Sequence, residues 1–353
     1  MNVLVVNPYG IGDSLFATPL IHTLKEKFPQ GKVGFLCNRR SAPLLKNNPF
    51  IDEIFIYERD DFKRLLSSSW FKWLKEFSSF IRQIKRCEFD IAIDLSLAAN
   101  FGFFLWLAGI KKRIGYDYKD RGFYLTRSVK LIGYDDKHIV EYYNDLLPLI
   151  QVEPRYKSPE LYLDRKDINY ANEITKPGKT DGPRHIIAIA PGGGASWGIE
   201  AKIKRWPEEN FRLLIDKIIE KYKAIVIILG DSGECGLLRG LGPDSRIINM
   251  TGLTTLAQSA ALIGKSDLFI GNDGGLLHIA VAEGRKTISF FGPVDPLVYG
   301  PYPPDPSRHI ILRRSLECSP CYRKFRLSPC VRNRECLEKI EVEDAVTALG
   351  TLL

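Results

Sequence analysis

The feature that most constrains the fold is a double series of short β-rich runs, each followed by a helical segment. In the first half, strands are predicted at residues 3–7, 32–37, 53–57, 91–96 and 112–116, and helices at 14–28, 62–86 and 138–150. Continuous apolar runs such as Val3-Leu4-Val5-Val6 are typical of parallel strands that helices cover on both faces. The first half is therefore predicted to form a doubly wound α/β domain.

A second series of the same kind fills the rest of the chain. Its predicted strands cover residues 185–190, 224–229, 247–250, 268–271 and 287–291, and its helices begin near Pro207, Gly233, Thr254 and Gly275. Residues 166–184 are rich in charge and turn formers, as expected of a linker. At 353 residues the chain exceeds the size of most single cores, so we expect two domains, residues 1–165 and 185–353. Ligands of such sheets bind at the carboxyl ends of the strands.

The charge of the chain indicates an anionic partner. The formal net charge is +8, which suits nucleic acid, an acidic membrane surface or a phosphorylated substrate. We expect no nucleic-acid partner, because the sequence has no Cys/His finger, basic zipper or ribonucleoprotein motif.

The sequence also predicts where the protein works. Residues 1–6 enter a strand without the pattern of a secretory signal, so we expect a cytoplasmic protein. The longest uncharged stretch, residues 95–110, is shorter than the roughly 20 residues that span a bilayer. It is interpreted as a buried element.

The first βα turn carries two glycines and a carboxylate, in Gly10-Ile11-Gly12-Asp13. Glycines allow a tight turn and close approach of a ligand. A third glycine at the dinucleotide-binding spacing is absent, and the Asp13 carboxylate would repel a pyrophosphate. Two interpretations stay open: Asp13 or Ser14 caps the following helix, or Asp13 is a general base at the ligand-binding edge.

The second domain has two loops suited to anions. Pro191-Gly192-Gly193-Gly194 follows a strand, and Lys202, Lys204 and Arg205 lie at the end of its loop, where they could offset the charge of a departing nucleotide diphosphate or form a solvated basic loop.

The sharpest motif is Asp273-Gly274-Gly275-Leu276-Leu277-His278, which follows a strand and opens a helix. Its two glycines leave backbone N–H groups bare at a helix N-terminus, which predicts a diphosphate site. His278, one turn into the helix, is either a ligand contact or a packed core histidine.

Two stretches of the first half combine cations with aromatic side chains. Residues 61–86 and 111–130 are interpreted either as solvated surfaces or as the places where an anionic acceptor and a membrane surface dock. Late in the chain, Cys318, Cys321, Cys330 and Cys336 cluster with a spacing unlike that of a zinc finger. In a cytosolic protein such a set more often binds metal or stays reduced than forms disulfides, so a structural zinc or iron–sulfur site and free thiols both stay open, and we assign no metal site.

In order along the chain, four motifs resemble the bacterial heptosyltransferases of lipopolysaccharide core synthesis, glycosyltransferase family nine. They are Gly10-Ile11-Gly12-Asp13, Lys204-Arg205-Trp206-Pro207-Glu208, Asp273-Gly274-Gly275-Leu276-Leu277-His278 and Phe291-Gly292-Pro293-Val294-Asp295-Pro296. The resemblance covers nearly the whole chain. It implies a GT-B fold, in which two Rossmann-like doubly wound domains face a central cleft, and an inverting transfer of heptose from an ADP-sugar donor to a lipid-linked oligosaccharide acceptor on the inner-membrane surface, without a cofactor.

Roles for individual residues follow from this resemblance. Asp13 would be the base, in an acceptor-binding domain of residues 1–165. The domain of residues 185–353 would bind the donor through Lys204, Glu234, Asp273, Gly274, Gly275, Leu276 and His278. Gly12, Lys63, Arg64 and Arg121 would bind the acceptor. The family's threonine after the aspartate is often replaced, and Gly274 stands at this position here, so a hydroxyl contact is lost while the backbone donors remain.

Three other classes of function remain as alternatives. A nucleotide-sugar epimerase of GT-B-like fold would convert the donor without an acceptor, and a non-catalytic nucleotide-sugar-binding protein would bind it without turnover. A nicotinamide oxidoreductase is disfavoured by the missing third glycine.

Overall fold

A computed structural model describes residues 1–176, 185–194 and 198–353 of the chain. It divides into two compact units. The first contains Met1–Tyr134 and Ile139–Tyr162, and the second contains Asp135–His138 and Leu163–Leu353.

The first unit is built on a parallel six-stranded sheet. Its strands are β1 (Val3–Val6), β2 (Val33–Cys37), β3 (Glu53–Ile56), β4 (Ile91–Asp94), β5 (Lys112–Tyr118) and β6 (Arg127–Leu131). Its helices are α1 (Ile11–Phe16), α2 (Thr18–Lys27), α3 (Ala42–Leu45), α4 (Arg59–Ser68), α5 (Trp70–Arg86), α6 (Ala99–Leu107) and α7 (Ile139–Asn144), and Leu147–Ile150 form a 3₁₀ turn.

The strand order of this sheet is β3-β2-β1-β4-β5-β6, so β1 and β4 are neighbours although two strands separate them in the chain. The loops after β1 and β4 therefore leave the sheet in opposite directions and open a crevice at its carboxyl edge. All four residues of β1 are buried, as expected for a central parallel strand.

The second unit repeats this plan. Its strands are β7 (Ile186–Ala190), β8 (Ile225–Ile228), β9 (Ile247–Asn249), β10 (Leu268–Asn272), β11 (Lys286–Phe290) and β12 (His309–Leu312), followed by a hairpin of β13 (Tyr322–Arg323) and β14 (Arg326–Leu327). Its helices are α8 (Arg165–Ile174), α9 (Glu208–Tyr222), α10 (Leu256–Lys265), α11 (Gly275–Ala282), α12 (Pro296–Tyr299), α13 (Glu335–Glu338) and α14 (Val342–Leu352), with 3₁₀ turns at Gly198–Lys204 and Ser232–Glu234.

The order β12-β11-β10-β7-β8-β9 places the crevice of the second sheet between β7 and β10. On one face of the sheet, the helices α9 and α14 pack into a core with Trp206 and Phe290. The two doubly wound parallel sheets confirm the α/β fold with two Rossmann-like domains.

Four predicted segments differ from the structure. Ser69 has an extended backbone (φ −166°, ψ 115°), so the helix predicted at 62–86 is two helices, α4 and α5. The helix predicted at 14–28 likewise breaks at Ala17, between α1 and α2. The predicted helix near Gly233 is a single 3₁₀ turn.

The predicted linker, residues 166–184, contains most of α8, whose N-cap is the carboxylate of Asp164. This helix packs against α10 within the second unit, so these residues are part of a domain. Residues 177–184 of the segment lie outside the described residues.

Candidate functional site

The crevice of the second sheet brings together the two predicted anion loops. Asn272, the last residue of β10, donates from Nδ2 to the backbone oxygens of Pro191 (2.8 Å) and Gly192 (3.1 Å). Its Oδ1 accepts from the backbone N–H of Trp206 at 2.8 Å. One buried amide therefore fixes three segments against each other. Because the sequence predicts donor binding at this carboxyl edge of the second sheet, we call it the donor edge.

Trp206 anchors the basic segment to the core. Its indole stacks on Phe290 with ring centroids 4.1 Å apart, and its Nε1–H donates to the backbone oxygen of Ile340 at 2.9 Å. Arg334 adds hydrogen bonds of 3.1 Å to the backbone oxygens of Lys202 and Arg205. The segment Lys204-Arg205-Trp206 is thus anchored to the core. It differs in this respect from the solvated basic loop that the sequence allowed as an alternative. Residues 195–197 of this loop lie outside the described residues.

Lys204 and Asp273 form a buried ion pair on the donor edge. Lys204 Nζ lies 2.5 Å from Asp273 Oδ2, and only 7% and 6% of the two side chains are exposed. Removing two charges from water is costly, so such a pair is weak evidence that it stabilises the fold.

His278 lies beside this pair. Its Nε2 is 3.9 Å from Asp273 Oδ1. Burial lowers the pKa of His278 to about 4, the charge of Asp273 opposes that shift, and Lys204 reinforces it. The imidazole is therefore neutral at pH 7.

The helix α11 begins at the same place. Gly274 is its N-cap, in an extended conformation, and Gly275 and Leu276 form its first turn. All three are partly exposed, whereas Asp273 and His278 are buried. The first N–H groups of a helix lack carbonyl partners within it and carry a partial positive charge, which suits a diphosphate.

Glu234 is built into the donor edge from the loop after β8. Its Oε1 accepts from the backbone N–H of Gly194 at 3.2 Å and pairs with Arg205 at 3.2 Å, and its Oε2 accepts from Asp231 N at 3.2 Å. A Cβ on Gly192 would lie 1.9 Å from Glu234 Oε1, so a side chain there would displace the carboxylate of Glu234. Lys204, Asp273 and His278 thus form one group, and Glu234 with Arg205 forms a second along the same edge.

Asp13 lies in the first unit, in the turn between β1 and α1. Its Oδ2 accepts from the backbone N–H of Gly10 at 3.0 Å, and its backbone oxygen accepts from Asn7 Nδ2 at 3.0 Å. The contact expected from a helix cap is therefore present. Asp13 and Gly12 are half-buried at the carboxyl edge of the sheet. The interpretation of Asp13 as a general base therefore stays open beside its role as a helix cap.

Asp94 is a carboxylate that the sequence reasoning missed. It ends β4, beside Val6 of β1, and accepts from Ser96 N at 2.9 Å. Burial raises the pKa of Asp94 to about 6, while its hydrogen bonds with Ser96 oppose the shift. The sequence does show a predicted strand that contains this carboxylate. That the strand lies next to β1 is known only from the strand order in the structure.

The proposed acceptor cations are exposed on the first unit. Lys63 and Arg64 lie on α4, and Arg64 pairs with Asp61, which also pairs with Arg39 at 2.8 Å. Arg121 follows β5, with its guanidinium 5.8 Å from the ring centroid of Tyr118.

The late cysteines have free thiols. Burial raises the pKa of Cys336 to about 11, and the neighbouring thiols of Cys321, Cys330 and Cys318 add to the shift. In the part of the chain that the structure describes, no group of three or more His, Cys, Asp or Glu side chains is arranged to hold a metal ion.

Relatives of known function share this architecture. The sequence profile of glycosyltransferase family 9 (heptosyltransferase) matches residues 77–331. The chain is 24% identical to lipopolysaccharide heptosyltransferase 3 of Escherichia coli K12 over 349 residues, covering 97% of this chain and 95% of that protein. It is 25% identical to lipooligosaccharide heptosyltransferase 2 of Haemophilus influenzae over 310 residues, covering 84% of each.

Solved structures agree on the fold. ADP-heptose lipopolysaccharide heptosyltransferase II of E. coli superimposes with a TM-score of 0.75 at 20% identity, covering 100% of this chain and 98% of that one. A family 9 glycosyltransferase of Veillonella parvula gives a TM-score of 0.82 at 19% identity, covering 99% and 96%. With the profile match spanning most of its length, the chain belongs to glycosyltransferase family 9, the heptosyltransferase family, and has the two-domain GT-B fold.

Proposed function

We propose that this glycosyltransferase moves a heptose from ADP-heptose to the inner core of lipopolysaccharide, with inversion at the anomeric carbon and without a metal ion. The observation that carries the proposal is the buried Lys204–Asp273 pair beside the glycine-initiated helix α11. A fixed cation and a helix N-terminus on one edge suit a leaving nucleoside diphosphate.

The identity of the donor rests on relatives. E. coli heptosyltransferase WaaC has been solved with ADP and with an ADP-2-deoxy-2-fluoro heptose. The relatives named above act on lipopolysaccharide or lipooligosaccharide. We assign the same donor and acceptor classes to this chain, with the donor at Lys204, Glu234, Asp273, Gly274, Gly275, Leu276 and His278.

The proposed reaction is a direct displacement. Asp13 takes the proton of an acceptor hydroxyl, the hydroxyl oxygen forms a bond to the anomeric carbon, and the bond from that carbon to the diphosphate oxygen breaks. One displacement at one carbon inverts its configuration. The departing ADP gains negative charge, which Lys204 and the first N–H groups of α11 stabilise, so no metal is needed for this step.

The test is a transfer assay with donor alone and with donor plus acceptor. We expect release of ADP only when the lipid A-linked acceptor is present, and no loss of rate after treatment with EDTA. Conversion of the donor sugar without acceptor would favour an epimerase, and donor binding without turnover would favour a sensor. Either result would contradict the proposal.

We also infer that the protein works on the cytoplasmic face of the inner membrane, where a lipid-linked acceptor lies. None of the helices in the described parts of the chain is long and apolar enough to cross a membrane. The first unit instead exposes large apolar side chains, which we call the aromatic surface. It consists of Leu66, Trp70, Phe71, Leu74, Trp106 and Phe123.

Ring contacts join the two helices, α5 and α6, and the loop after β5, which carry most of this surface. Phe77 of α5 meets Phe104 of α6 with centroids 4.9 Å apart, and Phe103 lies 5.9 Å from Trp106 and 5.3 Å from Tyr124. Residues 59–86 carry eight cations and three carboxylates. Apolar rings surrounded by cations suit an anionic bilayer, where each cation near the surface contributes about 1 kcal/mol.

Replacing Trp70 and Phe71 together with Ser should weaken binding to vesicles that contain anionic lipid by about a hundredfold or more, because the burial of each ring contributes about 1.5–3 kcal/mol. Vesicle flotation measures this. Leu253→Ser removes an exposed apolar side chain from the second unit and should leave binding unchanged. Equal binding by both variants would contradict the assignment of this surface, as would equal binding to neutral vesicles.

A further inference from the structure

Four residues of the first half of the chain belong to the second unit. Asp135–His138 group with Leu163–Leu353, although the residues on both sides of them group with the first unit. We call them the crossover segment. Asp135 pairs with Lys324 at 3.4 Å, and His138 is buried at 5% exposure. A buried imidazole needs a polar partner, so its contacts indicate where the segment is fixed.

His138 is fixed to the loop after α12. Its Nε2 lies 3.0 Å from the backbone oxygen of Gly300, and since a carbonyl only accepts, Nε2 carries the proton. Its ring stacks on Tyr302 with centroids 4.5 Å apart. A Cβ on Gly300 would lie 2.3 Å from the backbone oxygen of Pro296, so the backbone is tightly packed at this point.

The chain reaches this loop directly from the donor edge. It follows β11 and α12, and the last residue of β11, Phe290, accepts from the backbone N–H of Asp273 at 3.2 Å. Burial lowers the pKa of His138 to about 3, the hydrogen bond to Gly300 opposes that shift, and the charge of His278 adds to it. Both His138 and His278 are therefore neutral at pH 7.

We propose that His138 is a positioning residue of the donor site, which fixes the loop of Gly300 and Tyr302 that leaves the donor edge after β11 and α12. The inference rests on the proposed function, because it takes that edge to bind the nucleotide sugar. Without the imidazole, the Gly300 carbonyl loses a buried donor and a void opens beside Tyr302. The loop then adopts several conformations, of which only one is competent to bind the donor. Donor affinity falls because only a fraction of the molecules has that conformation.

The test compares Michaelis constants for donor and acceptor in two variants of His138. His138→Ala should raise the donor KM about tenfold and change the acceptor KM by less than about twofold, a tenfold change being about 1.4 kcal/mol. His138→Gln should restore most of the donor affinity, since its amide can donate to Gly300.

A matched control is His309→Ala. His309 is a half-buried histidine of the second unit, and its Nδ1 lies 3.0 Å from Thr287 Oγ1. It is the first residue of β12 and therefore lies at the amino end of the sheet, away from the donor edge. Its loss should lower the melting temperature without raising the donor KM. If His138→Ala does not fold, His138→Phe keeps a ring against Tyr302 and removes only the donated hydrogen bond, and it should still raise the donor KM.

An unchanged donor KM in the folded His138 variants would overturn the inference, as would a rise that His309→Ala matches. Lys204→Ala separates this failure from that of the proposed function. If donor binding survives in Lys204→Ala, the donor site itself is misplaced. If Lys204→Ala loses the donor and every His138 variant keeps it, only the role of His138 is wrong.

Discussion

Replacing Asp13 with Ala should lower kcat for heptose transfer by about 10²–10⁴-fold, the usual contribution of a positioned general base, while donor affinity stays nearly intact. The reason is that the acceptor hydroxyl would have no group to take its proton. The proposed donor residues lie in the second unit and Asp13 in the first, so we expect donor binding not to depend on Asp13. Steady-state kinetics and donor titration measure the two effects.

Asp13→Asn separates the base from the helix cap. The amide oxygen of Asn can still accept from Gly10 N, so a residue that only caps α1 would tolerate the change. A general base would not, and we expect the Asn variant to be as inactive as the Ala variant. Asp94→Asn is the matched control, a second carboxylate at the same sheet edge, and should retain transfer. An active Asp13→Asn with an inactive Asp94→Asn would assign the base to Asp94.

Lys204→Ala should have the second largest effect, on both stability and donor binding. It leaves the buried carboxylate of Asp273 without its cation, which costs about 3–5 kcal/mol of unfolding free energy. It also removes the cation proposed to face the diphosphate, so donor binding should be lost. Lys217→Ala is the control: Lys217 pairs with Glu343 at 2.9 Å on the surface, and its loss should cost less than about 1 kcal/mol.

A double variant separates these two losses. Lys204→Met with Asp273→Asn removes both buried charges and should regain much of the stability, because neutral side chains of similar size avoid the desolvation cost. Donor binding should stay lost. If donor affinity returned together with stability, the pair would be purely structural, and the donor site would have to be assigned elsewhere. Calorimetry of unfolding and of ADP binding gives both quantities.

The central strands of both sheets were predictable because they are continuous apolar runs. The two edge strands missed were β6, Arg127–Leu131, and β12, His309–Leu312. Four of the five residues of β6 are exposed, so its sequence, Arg-Ser-Val-Lys-Leu, lacks the apolar run of a buried strand. Such strands are defined by pairing with a neighbour, which periodicity does not record.

Helix boundaries failed where one polar residue decides them. Ser69 caps α5 by accepting from Lys72 N, although the helical pattern of the sequence continues through it. In the segment predicted as a linker, the apolar positions of α8 are few, and its partner α10 lies far away in sequence. Local composition therefore favoured a linker where tertiary packing makes a helix.

The sequence predicted features that lie within a single loop of the candidate site. It did not predict the contacts between different loops. The glycines of residues 273–278 indicated an anion-binding helix terminus, and α11 begins there. The direct pairing of Lys204 with Asp273 was not foreseen, because it depends on the neighbouring positions of β7 and β10. His138 and Asp94 were missed for the same reason: each is an ordinary residue in sequence and becomes notable only through its neighbours in the fold.

The proposed reaction at the donor edge is the transfer of heptose to a lipid-linked acceptor. Mass spectrometry of the acceptor after incubation with ADP-heptose and the purified protein tests it most directly. We expect the acceptor to gain the mass of one heptose residue with the unaltered protein and to gain none with Asp13→Ala. An acceptor of unchanged mass, in a reaction where the donor is bound or converted, would contradict it.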